Sequence, residues 1–157
     1  MTEEQFNSFC STLPNTTYVI QWGGSHVWKI GGKVFAIASW NKGKLSGITS
    51  KGSDIAYEIL REQPGLRPAP YLASRGMKWI QNYDEPGLSK EGLKEHLRES
   101  YRLVSLKLTK TLQRALGLNQ DWDARPSISN KGPYSRVSRY TSGSGRPSLR
   151  PSQSRSI

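Results

Sequence analysis

Two strand-like segments meet at a pair of glycines in residues 26–36, HVWKIGGKVFA. In a two-residue hairpin both turn positions take positive φ, which glycine adopts without steric cost. The glycine pair at 31–32 therefore predicts a tight antiparallel hairpin between His26–Ile30 and Lys33–Ser39. Apolar residues fill both alternating positions of the second segment, which indicates a strand that is partly covered on both faces.

The segments on either side extend this hairpin into a meander. Thr17–Trp22 precedes it across residues 23–24, and Lys44–Ser50 follows it across residues 41–43. Glycine and asparagine at these junctions are typical of turns. Four consecutive strands joined by short turns predict an antiparallel sheet.

Three main helices are predicted around this sheet from capping residues and apolar spacing. Thr2 with Gln5 forms a capping box before apolar residues at helical spacing. Ser53 caps a second helix, and Ser89 begins a long third helix that carries a leucine-rich stripe. Thr109 is able to cap a separate helix after a break in that stripe.

The proline-rich segment 66–72 predicts extended backbone at an edge of the sheet, because proline lacks the N–H that a central strand needs. Met77–Tyr83 predicts one further strand. Together these elements predict an α+β domain over residues 1–124, an antiparallel sheet with helices packed on one face.

Charge is distributed unevenly along the 157 residues. Twenty-three Lys and Arg stand against twelve Asp and Glu, for a net charge of +11, and every acidic residue lies at or before Asp123. Residues 125–157 hold seven basic residues among serine, glycine and proline. This composition cannot offset its ordering entropy, so we predict a disordered basic tail there. The sequence allows two roles for this tail: it contacts phosphates, or it is a dispensable extension.

Composition also excludes several classes of protein. No run approaches the roughly 18 apolar residues of a membrane span, and the acidic N-terminus is unlike a signal peptide. The single cysteine, Cys10, cannot form an internal disulfide or a multi-cysteine zinc site. We expect a cytoplasmic protein that does not act at a membrane.

Five segments, in this order and spacing, resemble the MmcQ/YjbR-like family. They are the hairpin run 26–36, the strand end 48–51 (ITSK), the connection 64–73 (PGLRPAPYLA), Trp79 and the helix segment 99–104 (ESYRLV). The resemblance covers residues 2–117 and implies a CyaY-like fold, also described as a double-wing arrangement. It also implies a DNA-binding role. The tail has no counterpart in this pattern.

A basic surface on the hairpins and the proline-flanked loop makes nucleic acid, above all DNA, the expected partner. Its eight members are Lys29, Lys33, Lys42, Lys44, Lys51, Arg67, Arg75 and Lys78. Aromatic residues interleave with these charges, and an exposed one is able to stack on a splayed base. The aromatic residues are Trp28, Trp40, Tyr71 and Trp79.

The residues predicted to bind are Lys33, Lys51, Arg75 and Lys78, with Trp79 supporting them or stacking. Three of these residues have a structural alternative. Strand aromatics usually lie in the core, and for Trp79 this interpretation is preferred. Lysines on edge strands commonly protect a sheet against aggregation, and for Lys33 and Lys51 the two interpretations are equally weighted.

Catalysis and metal binding are disfavoured by the few candidate residues. His26 and His96 are the only histidines, and neither has a second ligand at helical or strand spacing. A serine next to His26 in sequence does not have the geometry of a catalytic pair. No phosphate-binding glycine loop is present, and no cofactor is expected.

Iron is a further alternative, because proteins of the CyaY-like fold include frataxins, which bind iron on an acidic helical ridge. Here Glu91, Glu95 and Glu99 recur at i, i+4, but basic residues follow the same spacing. This alternation predicts a salt-bridged, solvated helix face rather than a metal site.

Noncatalytic nucleic-acid binding is therefore the function predicted first. The alternative is a protein-interaction module whose charge is incidental, and a small-molecule binder using the loop 68–71 comes third. A protein-interaction module is expected to expose an apolar patch.

Overall fold

A computed structural model describes residues 1–120 and contains a six-stranded antiparallel sheet. The strands are β1 Thr16–Gln21, β2 Ser25–Ile30, β3 Lys33–Asn41, β4 Lys44–Lys51, β5 Leu66–Pro68 and β6 Trp79–Asn82. Their spatial order is β1-β2-β3-β4-β6-β5, so the first four form the predicted meander and β6 lies between β4 and β5.

Four helices within residues 1–120 begin at the predicted caps. They are α1 Glu3–Thr12, α2 Asp54–Leu60, α3 Lys90–Ser105 and α4 Lys110–Ala115. The Thr2 hydroxyl accepts from the Gln5 N–H, and the Gln5 side chain accepts from the Thr2 N–H, which completes the capping box. Ser53 and Ser89 cap α2 and α3, and Thr109 accepts from a backbone N–H of α4.

The turn between β2 and β3 has the predicted geometry. Gly31 and Gly32 have φ of 59° and 84°, the left-handed region that a two-residue hairpin requires. Gly31 meets a second constraint, because a Cβ there would lie 2.6 Å from Leu108 Cδ1. Leu108 follows α3, so the end of α3 lies beside this turn.

As predicted, α1, α2 and α3 pack on the same face of the sheet. Trp28 Nε1 donates to α1, and Tyr57 of α2 packs against Ile80. α3 lies beside α1, with the Arg98 guanidinium 5.1 Å from the centre of the Phe9 ring. Residues that pair directly across neighbouring strands share a face of the sheet. Trp28, which contacts α1, and Ile80, which contacts α2, belong to one such row across four strands, and this row is buried. Its members are Trp28, Ala36, Ser50 and Ile80.

The edges of the described sheet are β1 and β5. β5, Leu66–Pro68, confirms extended backbone at an edge for these three residues. The prediction was wrong for residues 70–72, which form a turn where Tyr71 has φ of 69°. β3 and β4, which contain Lys33 and Lys51, have partners on both sides. Edge protection therefore does not explain these two lysines.

The chain divides into two units, residues 1–112 and 113–157. The first contains the sheet and α1 to α3. In the second, where 113–120 are described, the Leu118 N–H donates to the Gln113 carbonyl at 2.8 Å. The predicted domain end at residue 124 and the predicted tail over 125–157 lie outside the described residues. Across 1–120, no helix is long and apolar enough to cross a membrane.

Candidate nucleic-acid interface

Strand direction brings the predicted binding residues to one end of the sheet. Lys33 begins β3, Lys51 ends β4, and Trp79 begins β6 as the register partner of Lys51. Because neighbouring strands are antiparallel, these three positions share an end. The Gly52 N–H donates to the Lys78 carbonyl at 2.9 Å, and Arg75 lies in the loop between β5 and β6.

Two further lysines lie at this end. Leu108 packs against Gly31, which places the neighbouring Lys107 and Lys110 at the same end. Both side chains are exposed. Sequence reasoning missed them, although the sixteen residues of α3 span about 24 Å, enough to carry the chain along the sheet to this turn. We call this set the basic end: Lys33, Lys51, Arg75, Lys78, Lys107 and Lys110.

Five of the six members of the basic end lack a carboxylate partner among residues 1–120. Lys33, Lys51, Arg75, Lys107 and Lys110 form no ion pair within 4.0 Å there. Lys33 and Arg75 are exposed, and Lys51 is half-buried. Lys78 differs, because its Nζ lies 4.0 Å from Glu58 Oε2. α2 places Asp54 and Glu58 near the six cations of this end, so positive charge is in excess there.

Lys51 is held in place by a buried serine of α3. The Ser100 hydroxyl accepts from the Lys51 N–H at 2.9 Å and donates to the Phe35 carbonyl at 2.6 Å. Ser100 is fully buried, so these bonds form away from solvent. One hydroxyl therefore ties α3 to the start of β3 and to the end of β4.

Trp79 lies in the core and offers no free ring face. Its side chain is 5% exposed, and its Nε1 is buried without a hydrogen-bond partner in the described part of the chain. A base cannot stack on a ring that is covered in this way. The geometry agrees with the structural alternative for Trp79 and leaves a supporting role beside Lys51.

Of the other predicted cations, only Lys29 lies near the basic end, one residue before the end of β2. Lys42 lies in the β3–β4 turn and Lys44 begins β4, both at the opposite end of the sheet. Lys29 and Arg67 lie on the face away from the helices, because they alternate with residues that point towards the helices. The Arg67 guanidinium lies 4.2 Å from the centre of the Tyr83 ring, and its Nε donates to Gln81 Oε1. The eight-residue surface expected from the sequence is therefore not continuous.

The exposed face of α3 is salt-bridged, as predicted. Three of the four basic residues at i, i+4 spacing on this α3 face pair with a glutamate three positions earlier in the chain, and Lys90, the first residue of α3, forms no ion pair within residues 1–120. The pairs are Glu91–Lys94, Glu95–Arg98 and Glu99–Arg102. Within residues 1–120, no group of three or more His, Cys, Asp or Glu side chains is placed to hold a metal ion.

Burial shifts the pKa of three titratable side chains within residues 1–120. Burial raises the pKa of the Cys10 thiol far above its usual range and also raises the pKa of Tyr101. Desolvation lowers the pKa of His96, opposed by Glu99 and by a hydrogen bond to the Ser50 backbone. His96 is buried, and its Nε2 has no hydrogen-bond partner in the described chain.

His26 joins α1 to the first two strands. Its Nδ1 lies 2.7 Å from the Tyr18 hydroxyl and 3.4 Å from Asn7 Nδ2. Asn7 Oδ1 accepts from Trp28, so its amide nitrogen faces His26 and is able only to donate. Nδ1 therefore accepts, and Nε2 carries the proton and faces Glu3 Oε2 at 3.4 Å. This hydrogen-bonding pattern anchors the helix.

Two cavities of the described chain lie away from the loop 68–71. One lies between α1 and α3, where Phe9 and Lys94 line it. The other lies beside Tyr83 and Pro86, near the opposite end of the sheet from the basic end. Neither supplies the pocket that a small-molecule binder would need at residues 68–71.

Comparison with known proteins identifies a family and a fold. The model of the YjbR family matches residues 11–103. A solved structure from Deinococcus radiodurans, with the domain DUF419, is 24% identical, aligns over 81% of this chain and 96% of its own, and has a TM-score of 0.66. A Pseudomonas syringae protein is 19% identical over 66% of this chain and 99% of its own, with a TM-score of 0.53. Among curated proteins, no relative matches this chain.

Proposed function

This chain belongs to the YjbR family, and we propose that it binds nucleic acid, most directly DNA, through the basic end without catalysing a reaction. The observation that carries this proposal is a group of five cations at one end of the sheet that form no ion pair within residues 1–120: Lys33, Lys51, Arg75, Lys107 and Lys110. An unpaired cation is free to neutralise a phosphate and release its condensed counterions, whereas a paired one must first lose its carboxylate.

The positions of these cations support contact with a phosphate backbone. Neighbouring strands lie about 4.8 Å apart, so β3, β4 and β6 present their charges on adjacent supports. Lys51 is held by Ser100, and the start of β3 by the hairpin turn. Backbone contacts of this kind fix orientation on a nucleic acid but carry no sequence information. The proposal therefore expects binding with weak sequence preference.

The test compares two double variants of the full chain by fluorescence anisotropy with labelled DNA over a salt series. Lys33→Gln/Lys51→Gln removes two charges from the basic end, and Lys42→Gln/Lys44→Gln removes two from the opposite end. Residues 125–157 contribute equally to every variant, so the difference isolates the folded surface. We expect the first variant to lower the magnitude of the log–log salt slope by about 2 and the affinity roughly tenfold or more.

The control variant is expected to keep the slope of the unmodified chain. Equal losses in both variants would show that only net charge matters and would overturn the assignment to the basic end. Absence of binding by the unmodified chain near physiological salt would overturn nucleic acid as the partner.

A protein-interaction module is the second candidate, favoured by the edge strand β1. The unpaired edge of a sheet is a template for another strand, and charged residues or proline commonly protect it. Residues 16–21 contain neither. Tyr18, Ile20 and Trp22 are exposed along it. Sedimentation velocity of the unmodified chain and of Ile20→Lys tests this candidate. A concentration-dependent assembly that the substitution abolishes would support it, and a monomer throughout would exclude self-association.

A further inference from the structure

Only one of the four aromatic residues interleaved with the candidate cations is well exposed. Trp28 and Trp79 are buried, and Trp40 is half-buried with its ring 5.7 Å from that of Phe6. Tyr71 is 86% exposed. Within residues 1–120, its ring and hydroxyl make no hydrogen bond and no ring contact.

Tyr71 lies in the loop that leaves β5 and returns to β6 at the basic end. The loop begins where the Ala69 N–H donates to the Trp79 carbonyl at 2.9 Å. Arg75 follows Tyr71 by four residues, at the end of a 3-10 turn, and is exposed. The loop therefore presents an aromatic ring and an unpaired guanidinium beside the β4–β6 pair that carries Lys51.

Hydrogen bonds within the loop hold Tyr71 outward. Its backbone has φ of 69°, a left-handed conformation that is strained for a residue with a Cβ. The Ser74 hydroxyl donates to the Tyr71 carbonyl at 2.7 Å, and the Met77 N–H donates to the Leu72 carbonyl at 3.0 Å. None of these bonds uses the tyrosine side chain, so the loop is ordered without contribution from the ring.

We infer that Tyr71 is a stacking platform for an unpaired base, and that the basic end prefers single-stranded to double-stranded nucleic acid. This inference rests on the proposed function. In a duplex both faces of a base are already stacked on neighbours, so a side chain at the surface cannot reach them. In a single strand a base is able to turn onto the ring while Arg75 and Lys51 contact flanking phosphates. Stacking thus adds to an electrostatic term that both forms share.

The test uses anisotropy with a labelled single strand of about twelve nucleotides and with a duplex of the same length. The full chain is compared with Tyr71→Ala, which removes the ring, and Tyr71→Phe, which keeps it. Trp22→Ala is the matched control, because Trp22 is also exposed, also has positive φ, and lies in the β1–β2 turn at the opposite end of the sheet.

We expect Tyr71→Ala to weaken single-strand binding between about fivefold and about a hundredfold, the range of stacking energies for one base, and to leave duplex binding and the salt slope unchanged. Tyr71→Phe and Trp22→Ala should bind like the unmodified chain. Thermal denaturation of each variant checks that the fold is intact.

Two outcomes would overturn the inference. One is single-strand affinity that stays within twofold after Tyr71→Ala, and the other is an equal loss for the single strand and the duplex. If Lys33→Gln/Lys51→Gln weakens binding while Tyr71→Ala does not, the stacking inference fails and the proposed function stands. If neither variant weakens binding, the proposed function fails with it.

Discussion

The basic end and the α3 face both carry lysine and arginine, but these cations are mostly unpaired at the basic end and mostly paired with glutamate on α3. On the α3 face, Lys94, Arg98 and Arg102 each lie against a glutamate three positions earlier. At the basic end, Lys33, Lys51 and Arg75 form no ion pair in the described chain. A count of charges does not distinguish the two regions, because each contributes several cations to the same basic protein.

The two regions differ in the pairing of their cations and not only in the number of cations. Side chains three apart on a helix are neighbours by geometry, so a glutamate before each cation pairs the two within the helix. The ends of strands bring together residues distant in sequence, and there a pairing carboxylate must come from another element. α2 supplies Glu58 to Lys78 alone among the site residues predicted from the sequence.

The largest expected effect lies where the two regions join, at Ser100. Ser100→Ala leaves the buried Phe35 carbonyl and the Lys51 N–H without a partner, which should lower the free energy of unfolding by about 3 kcal/mol. Urea denaturation measures this change. Ser11→Ala, which removes an exposed hydroxyl bonded within its own helix, is the control and should be nearly neutral. A loss below about 1 kcal/mol at Ser100 would mean that water replaces the hydroxyl.

A smaller effect is expected at the turn of the basic end. Gly31→Ala must adopt positive φ and also displace Leu108, so we expect a loss of about 2 kcal/mol in unfolding free energy. Gly32→Ala has the same backbone requirement but nothing within 4 Å of the new Cβ, and should lose about 1 kcal/mol. Thermal or urea denaturation of both variants separates the cost of positive φ from the cost of displacing Leu108. Equal losses would show that contact with Leu108 is unimportant.

The buried side of α3 should respond to pH, whereas its exposed ion pairs respond mainly to salt. Desolvation lowers the pKa of His96 below its usual 6.5, so near and below that pH the unfolded chain binds more protons than the folded one. Stability is then complete above pH 6.5 and falls on acidification towards the folded pKa, by at most about 1.4 kcal/mol per pH unit. Urea denaturation of the unmodified chain and of His96→Leu between pH 8 and pH 5 measures this component. If the stabilities of the two proteins change with pH in parallel, His96 is not the source of the pH dependence.

The smallest effect is expected from the paired charges themselves. Glu95→Gln removes an exposed ion pair with Arg98 and should change the unfolding free energy by less than about 0.5 kcal/mol. Glu85→Gln removes the same charge from a loop carboxylate that has no ion pair in residues 1–120 and serves as the control. Denaturation at low and high salt measures both. A loss above about 1 kcal/mol at Glu95 would show that the α3 pairs stabilise the helix more than exposed pairs usually do.

Elements governed by neighbours in sequence were predictable. The capping box at Thr2, the glycine turn at 31–32 and the cap at Ser89 each depend on bonds within a few residues. The salt-bridged α3 face follows from helical spacing for the same reason. The bounds of β1 to β4 and β6 differ from the prediction by two residues at most, as in β6, which begins at Trp79 rather than Met77. The extended segment predicted over 66–72 ends four residues earlier, at Pro68.

Parts of the candidate site depended on contacts that the sequence does not display. Trp79 and Tyr71 are both aromatic and both lie beside basic residues, yet one is buried and the other exposed. Lys42 lies in the turn before β4 and Lys51 is the last residue of β4, so the two lysines lie at opposite ends of this strand. Lys107 joined the basic end only because Leu108 packs against the hairpin turn.

The amino-acid sequence by itself determined the class of fold, the family resemblance, the order of elements and the salt-bridged helix face. These properties follow from local backbone preference and from the periods of helix and strand, which act over a few residues. The tertiary structure alone decided which cations remain unpaired at one end, which aromatic residue stays exposed there, and that Ser100 supports Lys51. The reason is physical: β6 inserts between β4 and β5, and the long α3 returns the chain to the first hairpin. Burial and pairing at that end therefore arise between residues far apart in sequence.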